Sequence, residues 1–261
     1  MDIVKLEPSS SALEPPDSAH PYLITAIKPA VKVESRVNIY INDKYDFSLE
    51  IPQVVDLHLK VGKRLTTKEL NDCRHASEFG KLYHHALEFS LTRPHSVREV
   101  RDHLVRRRLR RETMNRQAIK NRDKSKEDRI KYKLRTKEIP LYTDKDIDAV
   151  ISRLQEKGYL DDQKFALFYV DNRYAKKGIS KKRLVMELKK KGVSEGCIEN
   201  AFSGTERDEL AEIQKIIKRK YRKYSNDKLI RYLVRQGFDY QQSKAAVLEM
   251  DLQNSEQNPL S

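Results

Sequence analysis

Residues 180–193 have the sequence SKKRLVMELKKKGV, and the same pattern occurs at 96–109 (SVREVRDHLVRRRL) and at 225–238 (SNDKLIRYLVRQGF). Each copy begins with a serine and carries apolar residues four and eight positions later. A serine can accept a backbone N–H bond at the start of a helix, and apolar residues four apart lie on one helical face. In two copies a glycine then supplies the positive φ that ends a helix. The pattern therefore predicts three short capped helices, one in each of three small helical modules.

The spacing of the three copies predicts how the helical part is divided. Ser180 and Ser225 lie 45 residues apart, which suits one three-helix unit, whereas Ser96 and Ser180 lie 84 residues apart. The first module therefore carries an insertion, predicted at about 110–140, between its second and third helices. The predicted modules span 80–160, 161–204 and 205–252.

Ahead of the modules, the chain is rich in β-forming residues. Asn42-Asp43 is typical of a hairpin turn between two short strands. These signals predict a small α+β element over 21–79, too thin to be stable without further packing. Its expected parts are strands at 22–27, 37–41 and 45–47, a helical stretch at 54–59 and a helix capped by Thr66 or Thr67.

The predicted fold class is therefore mainly α. Three tandem three-helix modules, similar to helix-turn-helix units, form an elongated array that follows the small strand-containing element. Residues 1–20 are polar and rich in proline, and 253–261 are polar. These two segments are predicted to be a disordered leader and a disordered tail.

Composition favours a binding protein over an enzyme. Of the 261 residues, 38% are hydrophobic and 35% are charged, which suits thin modules with much exposed surface. The formal net charge of +14 attracts polyanions, so nucleic acid is the first partner class to consider. The sequence contains no phosphate-binding loop, zinc-protease motif or nucleophile elbow, and only 8 glycines. We predict no enzymatic activity and no cofactor.

The cysteines and the apolar runs indicate in which cellular compartment the protein is expected. The two cysteines, Cys73 and Cys197, lie far apart and outside any metal-binding spacing, so neither a disulfide framework nor a thiolate metal site is indicated. The longest apolar run, 165–170, is far shorter than a membrane span of about 20 residues. The sequence predicts a soluble cytoplasmic protein, a monomer without membrane contact.

The predicted insertion is strongly basic. Between Arg110 and Pro140 there are twelve lysines or arginines and five acidic residues. Its acids could pair with some of the bases along a helix, which would make it a solvated helical hairpin or a mobile arm. A polyanion contact is the alternative, and charge alone does not decide between them.

Further basic clusters lie on the helices of the modules. A solvated helix face predicts charge at such positions, but it does not predict charges of one sign. Basic faces repeated on stacked modules would form a stripe able to follow a helical polyanion or an acidic groove. The predicted partner-binding and nucleic-acid-binding residues are Arg106, Arg107, Arg108, Arg110, Arg111, Lys181, Lys182, Arg183, Lys189, Lys190, Lys191, Lys218, Arg219 and Lys220.

Other candidate sites have simpler interpretations. The pair Asp161-Asp162 resembles a catalytic carboxylate pair, but an aspartate just ahead of an apolar helical run is well placed to cap that helix. A zinc site would need a ligand spacing that the sequence does not show. Tyrosines in the third module could stack bases, and core or interface packing is the favoured alternative. The residues concerned are Cys73, His75, His84 and His85 for zinc, and Tyr221, Tyr224, Tyr232 and Tyr240 for stacking.

One segment resembles a known family. Residues 158–166 (GYLDDQKFA), followed by Gly178-Ile179-Ser180 and by 188–193 (LKKKGV), closely resemble the RecX family of bacterial recombinase regulators. The resemblance extends over roughly 80–250, and the strand-rich opening looks like the leader of some members. It implies three tandem three-helix modules that bind RecA filaments on single-stranded DNA, with direct DNA contact as a further expectation. Such proteins restrain recombinase ATP hydrolysis, strand exchange and co-protease activity in recombination, repair and the SOS response.

The chain departs from the family pattern in two places. Arg108 replaces the helix-ending glycine in the first copy, and the insertion is larger than the pattern requires. A rival hypothesis needs no recombinase, because three-helix units also bind duplex DNA through a recognition helix. Filament binding predicts a preference for recombinase-coated strands, whereas the rival predicts equal or tighter binding to bare nucleic acid with a steep salt dependence.

Overall fold

The computed structural model describes residues 21–31, 35–121, 142–205 and 207–257. Within these ranges it contains ten α-helices, one 3-10 helix and four β-strands. The predicted fold class, mainly helical with a small strand-containing element at the N-terminal end, is confirmed. The leader, residues 122–141 of the insertion and 258–261 of the tail lie outside the described residues.

The four strands form one antiparallel sheet with the order β3-β2-β1-β4. Its hairpin turn is the predicted one: Asn42 and Asp43 have φ values of 48° and 63°, a backbone region that these two residue types tolerate. The short fourth strand pairs with the beginning of β1. The strands are β1 (Tyr22–Pro29), β2 (Arg36–Ile41), β3 (Lys44–Glu50) and β4 (Arg64–Leu65).

Two helices pack with this sheet. Helix α1 (Ile51–Asp56) has a proline, Pro52, in its first turn, where proline is tolerated, and it lies slightly earlier than predicted. Helix α2 (Thr67–Thr92) begins at a capping box: the Glu69 N–H donates to Thr66 Oγ1, and the Thr66 N–H donates to Glu69 Oε2. The sheet core includes Leu70 and Cys73 from α2, so this helix completes the small element.

Helix α2 runs through the predicted boundary between 79 and 80. Gly80 lies inside it and is buried. A Cβ at Gly80 would lie 3.1 Å from Gln53 Oε1, and Gln53 donates from Nε2 to the Ala76 carbonyl. The glycine therefore allows a close approach by α1 instead of ending the helix.

Helix α3 (Val97–Asn121) is much longer than predicted from the first copy of the pattern. The prediction of a short helix there is wrong because Arg108 and the residues after it are good helix formers. The first part of the predicted insertion is thus a continuation of α3. The first module is completed by α4 (Asp144–Glu156), whose buried face includes Ile147, Val150 and Leu154.

Six further α-helices and the 3-10 helix follow α4 within the described residues. The last of them, α10 (Tyr240–Gln257), extends past 253, so the predicted disordered tail does not begin there; Asp251 in this helix accepts from the Tyr221 hydroxyl and from Asn226 Nδ2. The helices are α5 (Asp162–Asn172), α6 (Lys181–Lys190) and α7 (Glu195–Ser203), then α8 (Glu209–Lys220), the 3-10 helix (Tyr221–Lys223), α9 (Asn226–Arg235) and α10 (Tyr240–Gln257).

The described residues belong to two compact units. One lies within 1–83 and 111–143 and contains the sheet. The other lies within 84–110 and 144–261 and contains most of the three-helix modules. In the second unit, separate apolar clusters around Phe165 and Leu188 and around Ile213 and Leu233 form the cores of the second and third modules. No helix in the described ranges is long and apolar enough to cross a membrane.

Candidate polyanion-binding clefts

Two serines of the recurring pattern join successive modules. Ser96 and Ser180 are fully buried. The Ser96 hydroxyl donates to the Lys191 carbonyl O at 2.9 Å, and the Ser180 hydroxyl donates to the Gln236 carbonyl O at 2.6 Å. Each hydroxyl also accepts the N–H three residues later, which confirms both predicted caps. Each serine hydroxyl therefore caps the N-terminus of its own helix and also binds the C-terminal end of the second helix in the next module.

A second hydrogen bond repeats at both joints. The Val97 N–H donates to Asp162 Oδ1 at 2.9 Å, and the Lys181 N–H donates to Glu209 Oε1 at 2.8 Å. Each acid is the first residue of the next module's first helix. A carboxylate at the start of a helix satisfies free N–H groups and interacts favourably with the helix dipole. Here the N–H group belongs to the preceding module, so the acidic side chain links the two modules by a hydrogen bond.

The glycines of the pattern are required at these joints. Gly192 and Gly237 have φ values of +80° and +97°. A Cβ on Gly237 would lie 2.8 Å from Ser180 Oγ, and one on Gly192 would lie 3.1 Å from Arg98. The serine end of one copy therefore meets the glycine end of the next copy. The glycines combine an unusual backbone conformation with close contact to the preceding module.

This arrangement explains the two exceptions in the pattern. The first copy has no preceding three-helix module in the described chain, so no serine approaches position 108. Arg108 can stand there, and its Nη1 lies 3.0 Å from Asp144 Oδ1. At the other end, Ser225 occupies the N-cap of α9 but its side chain accepts no cap hydrogen bond. The predicted cap bond at Ser225 is wrong: unlike Ser96 and Ser180, this serine is exposed, and its hydroxyl is not held in place by burial.

The joint between the first and second modules opens a basic cleft of about 730 Å³, here called the first cleft. Its lining contains six basic and three acidic residues and two aromatic rings. They are Arg93, Arg98, Arg106, Arg173, Lys190 and Lys191, with Glu99, Asp102 and Glu187, Phe168 and Tyr169, and Asn172.

Carboxylates neutralise much of the first cleft. Glu99 accepts from Lys191 Nζ and lies 3.2 Å from Arg93 Nη1. Glu187 accepts from the Tyr169 hydroxyl at 2.5 Å and from Arg173 Nε at 2.8 Å. Burial by itself raises the pKa of each glutamate, but the hydrogen bonds from these partners outweigh burial and leave both pKa values below the ordinary value. Both carboxylates are therefore charged at neutral pH.

The joint between the second and third modules opens a smaller basic cleft of about 220 Å³, here called the second cleft. Among the described residues that line it, four are basic and none is acidic. They are Lys177, Arg183, Arg219 and Lys220, with Tyr174, Gly178, Ile179, Ile216, Tyr232 and Gln236.

Neutral groups hold most cations of the second cleft. Arg219 Nη1 donates to the Lys177 carbonyl O at 3.2 Å. Lys220 Nζ lies 4.4 Å from the centre of the Tyr232 ring and 4.9 Å from that of Tyr224. Arg183 donates to the Gln236 side chain and also from Nε to Glu187 Oε1 at 3.3 Å. Ring faces and carbonyl groups orient cations without cancelling their charge.

The fourteen basic residues predicted from the sequence are divided among several surfaces. Arg106, Lys190 and Lys191 line the first cleft, and Arg183, Arg219 and Lys220 line the second. Lys181 and Lys189 line a separate groove formed by α6 and α7. Arg107 contacts His85 at 2.5 Å, Arg108 pairs with Asp144, and Arg111, in the first unit, pairs with Glu78 at 2.6 Å. Arg110, Lys182 and Lys218 are exposed and line none of these clefts.

Sequence reasoning missed several cleft residues. Arg93, Arg98 and Arg173 are single bases outside the basic runs, and Glu187 lies within a basic helix. Lys177 belongs to the basic pair 176–177, but it was not among the predicted binding residues. Aligning the copies of the pattern could have found some of them, because positions near the serine and near the helix end of successive copies meet at each joint. Counting charges alone could not have found them, because it contains no information about which helix ends meet in the folded chain.

The other candidate sites are accounted for structurally. Asp161 caps α5 by accepting from the Gln163 and Lys164 N–H groups, which supports the structural interpretation over catalysis. Cys73 is buried in the sheet core, where burial raises the pKa of its thiol to about 11. Across the described ranges, no group of three or more histidine, cysteine or acidic residues is arranged to hold a metal ion. Of the tyrosines, Tyr221 and Tyr232 pack against the third core, and Tyr224 and Tyr240 are exposed.

Comparison with known proteins finds similarity to one family. Residues 22–66 match the family model of the regulatory protein RecX N-terminal domain, and 161–201 match that of the second three-helix domain of RecX. Regulatory protein RecX of Bacillus subtilis is 29% identical over 242 residues, which cover 89% of this chain and 79% of the relative. The chain is therefore similar to the RecX family in two domains and along most of its length.

Further RecX proteins show the same similarity. Regulatory protein RecX of Bacillus licheniformis is 27% identical over 244 residues, which cover 90% of this chain and 80% of the relative. A crystal structure of a regulatory protein RecX shares the fold, with a TM-score of 0.55 at 19% identity, over 85% of this chain and 96% of that chain. The resemblance found in 158–193 is thereby confirmed. The relatives are named as regulatory proteins and not as enzymes.

The carboxylates of the first cleft predict a loss of stability in acid. The pKa values of Glu99 and Glu187 are lowered in the folded state, so their stabilising effect is complete above the ordinary value of 4.5. It is lost as the pH falls through the lowered folded-state values. We expect the urea-unfolding free energy to fall in this window, and less steeply in Glu187→Gln. Equal pH dependence in both proteins would contradict the prediction.

Proposed function

We propose that this RecX-like protein binds RecA filaments on single-stranded DNA and restrains recombinase ATP hydrolysis, strand exchange and co-protease activity. The observation that carries the proposal is the repetition of a basic cleft at two successive, equivalent joints. Two cationic sites at equivalent joints suit a partner that repeats its own acidic or phosphate groups, as a nucleoprotein filament does. Similarity to a family of regulatory proteins is the second support.

Binding at several sites favours a filament over a free subunit. When one cleft is occupied, the next cleft meets its target at a high effective concentration, because the modules are joined in one chain. A lone recombinase subunit offers no second target. A regulator of this kind therefore acts on the assembled filament at concentrations too low to bind the free subunit.

Inhibition then requires no catalytic group. Modules bound to neighbouring subunits oppose the rearrangements that accompany ATP turnover. The same modules occupy space that a second DNA must enter for strand exchange. The regulatory effect depends on contacts that persist across subunits, so loss of basic side chains at both joints is expected to weaken it.

The test is a titration of the protein into DNA-stimulated RecA ATP hydrolysis. The cleft variant Lys190→Gln/Arg219→Gln removes one base from each cleft. The comparison variant Lys182→Gln/Lys218→Gln removes the same charge from the same two helices, at exposed positions that line neither cleft. We expect half-inhibition by the cleft variant to need about tenfold more protein, because both clefts are weakened together. The comparison variant should stay within about twofold of the wild-type protein.

Two outcomes would contradict this proposal. Equal weakening of both variants would show that the overall charge, and not the clefts, governs binding. No inhibition by the wild-type protein, together with tight binding to bare DNA, would favour the rival function of a nucleic-acid-binding protein that acts without a recombinase. Unfolding free energies of both variants, measured alongside, check that each is folded.

A further inference from the structure

The two clefts occupy equivalent joints but differ in their charge balance. In the first cleft, Glu99 and Glu187 hold Lys191, Arg93 and Arg173. An anion that contacts Lys191, Arg93 or Arg173 would have to displace these carboxylates, which are partly buried and hydrogen-bonded. Its gain in Coulomb energy is therefore offset by the ion pairs that it breaks. The larger volume of the first cleft does not make it the better anion site.

The second cleft has no such internal competitor among its described lining residues. Lys220 faces two tyrosine rings, and Arg219 donates to a backbone carbonyl. Among the described contacts of its four basic residues, only Arg183 meets a carboxylate, that of Glu187, which does not line the cleft. An anion entering the second cleft meets cations that are already oriented and still charged. Such preorganisation lowers the cost of binding.

The volume of the second cleft and its tyrosine rings indicate which class of anion it binds. A volume of about 220 Å³ lies below the range of about 300–1,000 Å³ that is typical of sites enclosing whole small molecules. It can admit a phosphate with part of a sugar, while the rest of the ligand remains outside. Tyr174 and Tyr232 add aromatic surface beside the lysines and arginines of the cleft. Basic grooves with aromatic side chains are typical of single-strand binding, because unpaired bases can stack on the rings.

We propose that the second cleft, and not the first, is the phosphodiester-binding subsite, and that it takes the backbone of single-stranded nucleic acid. The assignment rests on the proposed function in that it names the nucleic-acid contact of the same modules. Arg183, Arg219 and Lys220 hold the phosphate, and Tyr232 flanks it. The basic residues of the first cleft instead stabilise the joint between the first and second modules and contact protein.

The test measures direct binding to the full chain in the absence of recombinase, so its result is independent of filament inhibition. The probe is a fluorescein-labelled oligothymidine of about 12 nucleotides, followed by fluorescence anisotropy. The second-cleft variant is Arg219→Gln/Lys220→Gln. The first-cleft variant is Arg98→Gln/Arg106→Gln. The matched control is Arg222→Gln/Lys223→Gln, which removes the same charge just after α8 at exposed positions outside both clefts.

The second-cleft variant should lose about tenfold or more in affinity, and its salt slope should fall by about 1.4, which corresponds to two lost phosphate contacts on a single strand. The first-cleft variant and the control should each lose less than about threefold. Equal losses in all three variants would overturn the assignment, as would a larger loss in the first-cleft variant. If the wild-type protein inhibits RecA but the second-cleft variant shows no selective loss of single-strand affinity, the subsite assignment is refuted and the proposed function is not.

Competitors separate the sources of phosphate. Unlabelled single strand should displace the probe at a lower concentration than duplex of the same length, because only unpaired bases can stack on the tyrosine rings beside the basic residues. Displacement by ATP or inorganic phosphate at concentrations similar to those of the single strand would assign the cleft to free anions and overturn the strand assignment. Wild-type unfolding free energies in all three variants confirm that they fold.

Discussion

Replacement of Glu212 by alanine should lower the free energy of unfolding of the second unit by about 3–5 kcal/mol. The Glu212 side chain is only 3% exposed. Its Oε1 lies 3.1 Å from Arg207 Nε and 2.6 Å from Lys215 Nζ, and its Oε2 accepts the Ile179 N–H at 2.9 Å. The substitution leaves the largely buried guanidinium of Arg207 without this carboxylate and a buried N–H without an acceptor. Both losses are expensive away from water.

Urea unfolding followed by circular dichroism measures this effect. Glu199→Ala is the matched control, because it removes the same side chain from an exposed position on a helix of the second module. The control should change the unfolding free energy by less than about 0.5 kcal/mol. A similarly small effect of Glu212→Ala would show that the buried carboxylate does not stabilise the joint between the second and third modules.

Gly178→Ala should destabilise the protein by about 3 kcal/mol or more, and for two separable reasons. Gly178 has a φ of +79°, which an L-amino acid adopts only with strain. In addition, an added Cβ would lie 2.4 Å from the Glu212 carbonyl O and 2.8 Å from Ile216 Cγ1. The carbonyl belongs to a helix and cannot move away easily, so the joint itself must open.

Gly158→Ala separates strain from collision. Gly158 has a similar φ of +72°, but a Cβ there would meet nothing within 4 Å. This control should cost only about 1 kcal/mol, the price of the backbone conformation alone. The same denaturation experiment compares the two variants. Equal losses would show that the backbone conformation alone accounts for the effect at Gly178 and that the second joint can relax around an added methyl group.

The sequence predicted the local elements well because their causes are local. Asn42 and Asp43 favour a tight turn wherever they occur between β-forming residues, and the hairpin formed there. Ser180 caps its helix through the N–H three residues later, a contact that depends on a few neighbouring dihedral angles. Predictions failed where the outcome depended on a distant partner. Ser225 begins the same pattern as Ser180, which donates to the Gln236 carbonyl O, but the side chain of Ser225 accepts no cap hydrogen bond.

The candidate site was predicted only in part, for a physical reason of the same kind. Net charge and basic runs indicated a polyanion partner, and both are properties of the chain alone. Which bases keep their charge free for a ligand depends on the carboxylates that folding brings beside them. Lys191 and Lys220 are both parts of basic runs, but Lys191 ends beside Glu99 and Lys220 beside two tyrosine rings.

The sequence by itself determined the repeated helical modules, the small sheet and the positive charge, because helix caps and turn residues act over short distances and charge is a property of composition. Only the tertiary structure decided that the serine of one copy meets the glycine of the next, as Ser180 meets Gly237. It also decided that the two resulting clefts differ in charge balance. Those outcomes depend on contacts between residues far apart in the chain, and the free energy of such contacts is set only when the modules pack.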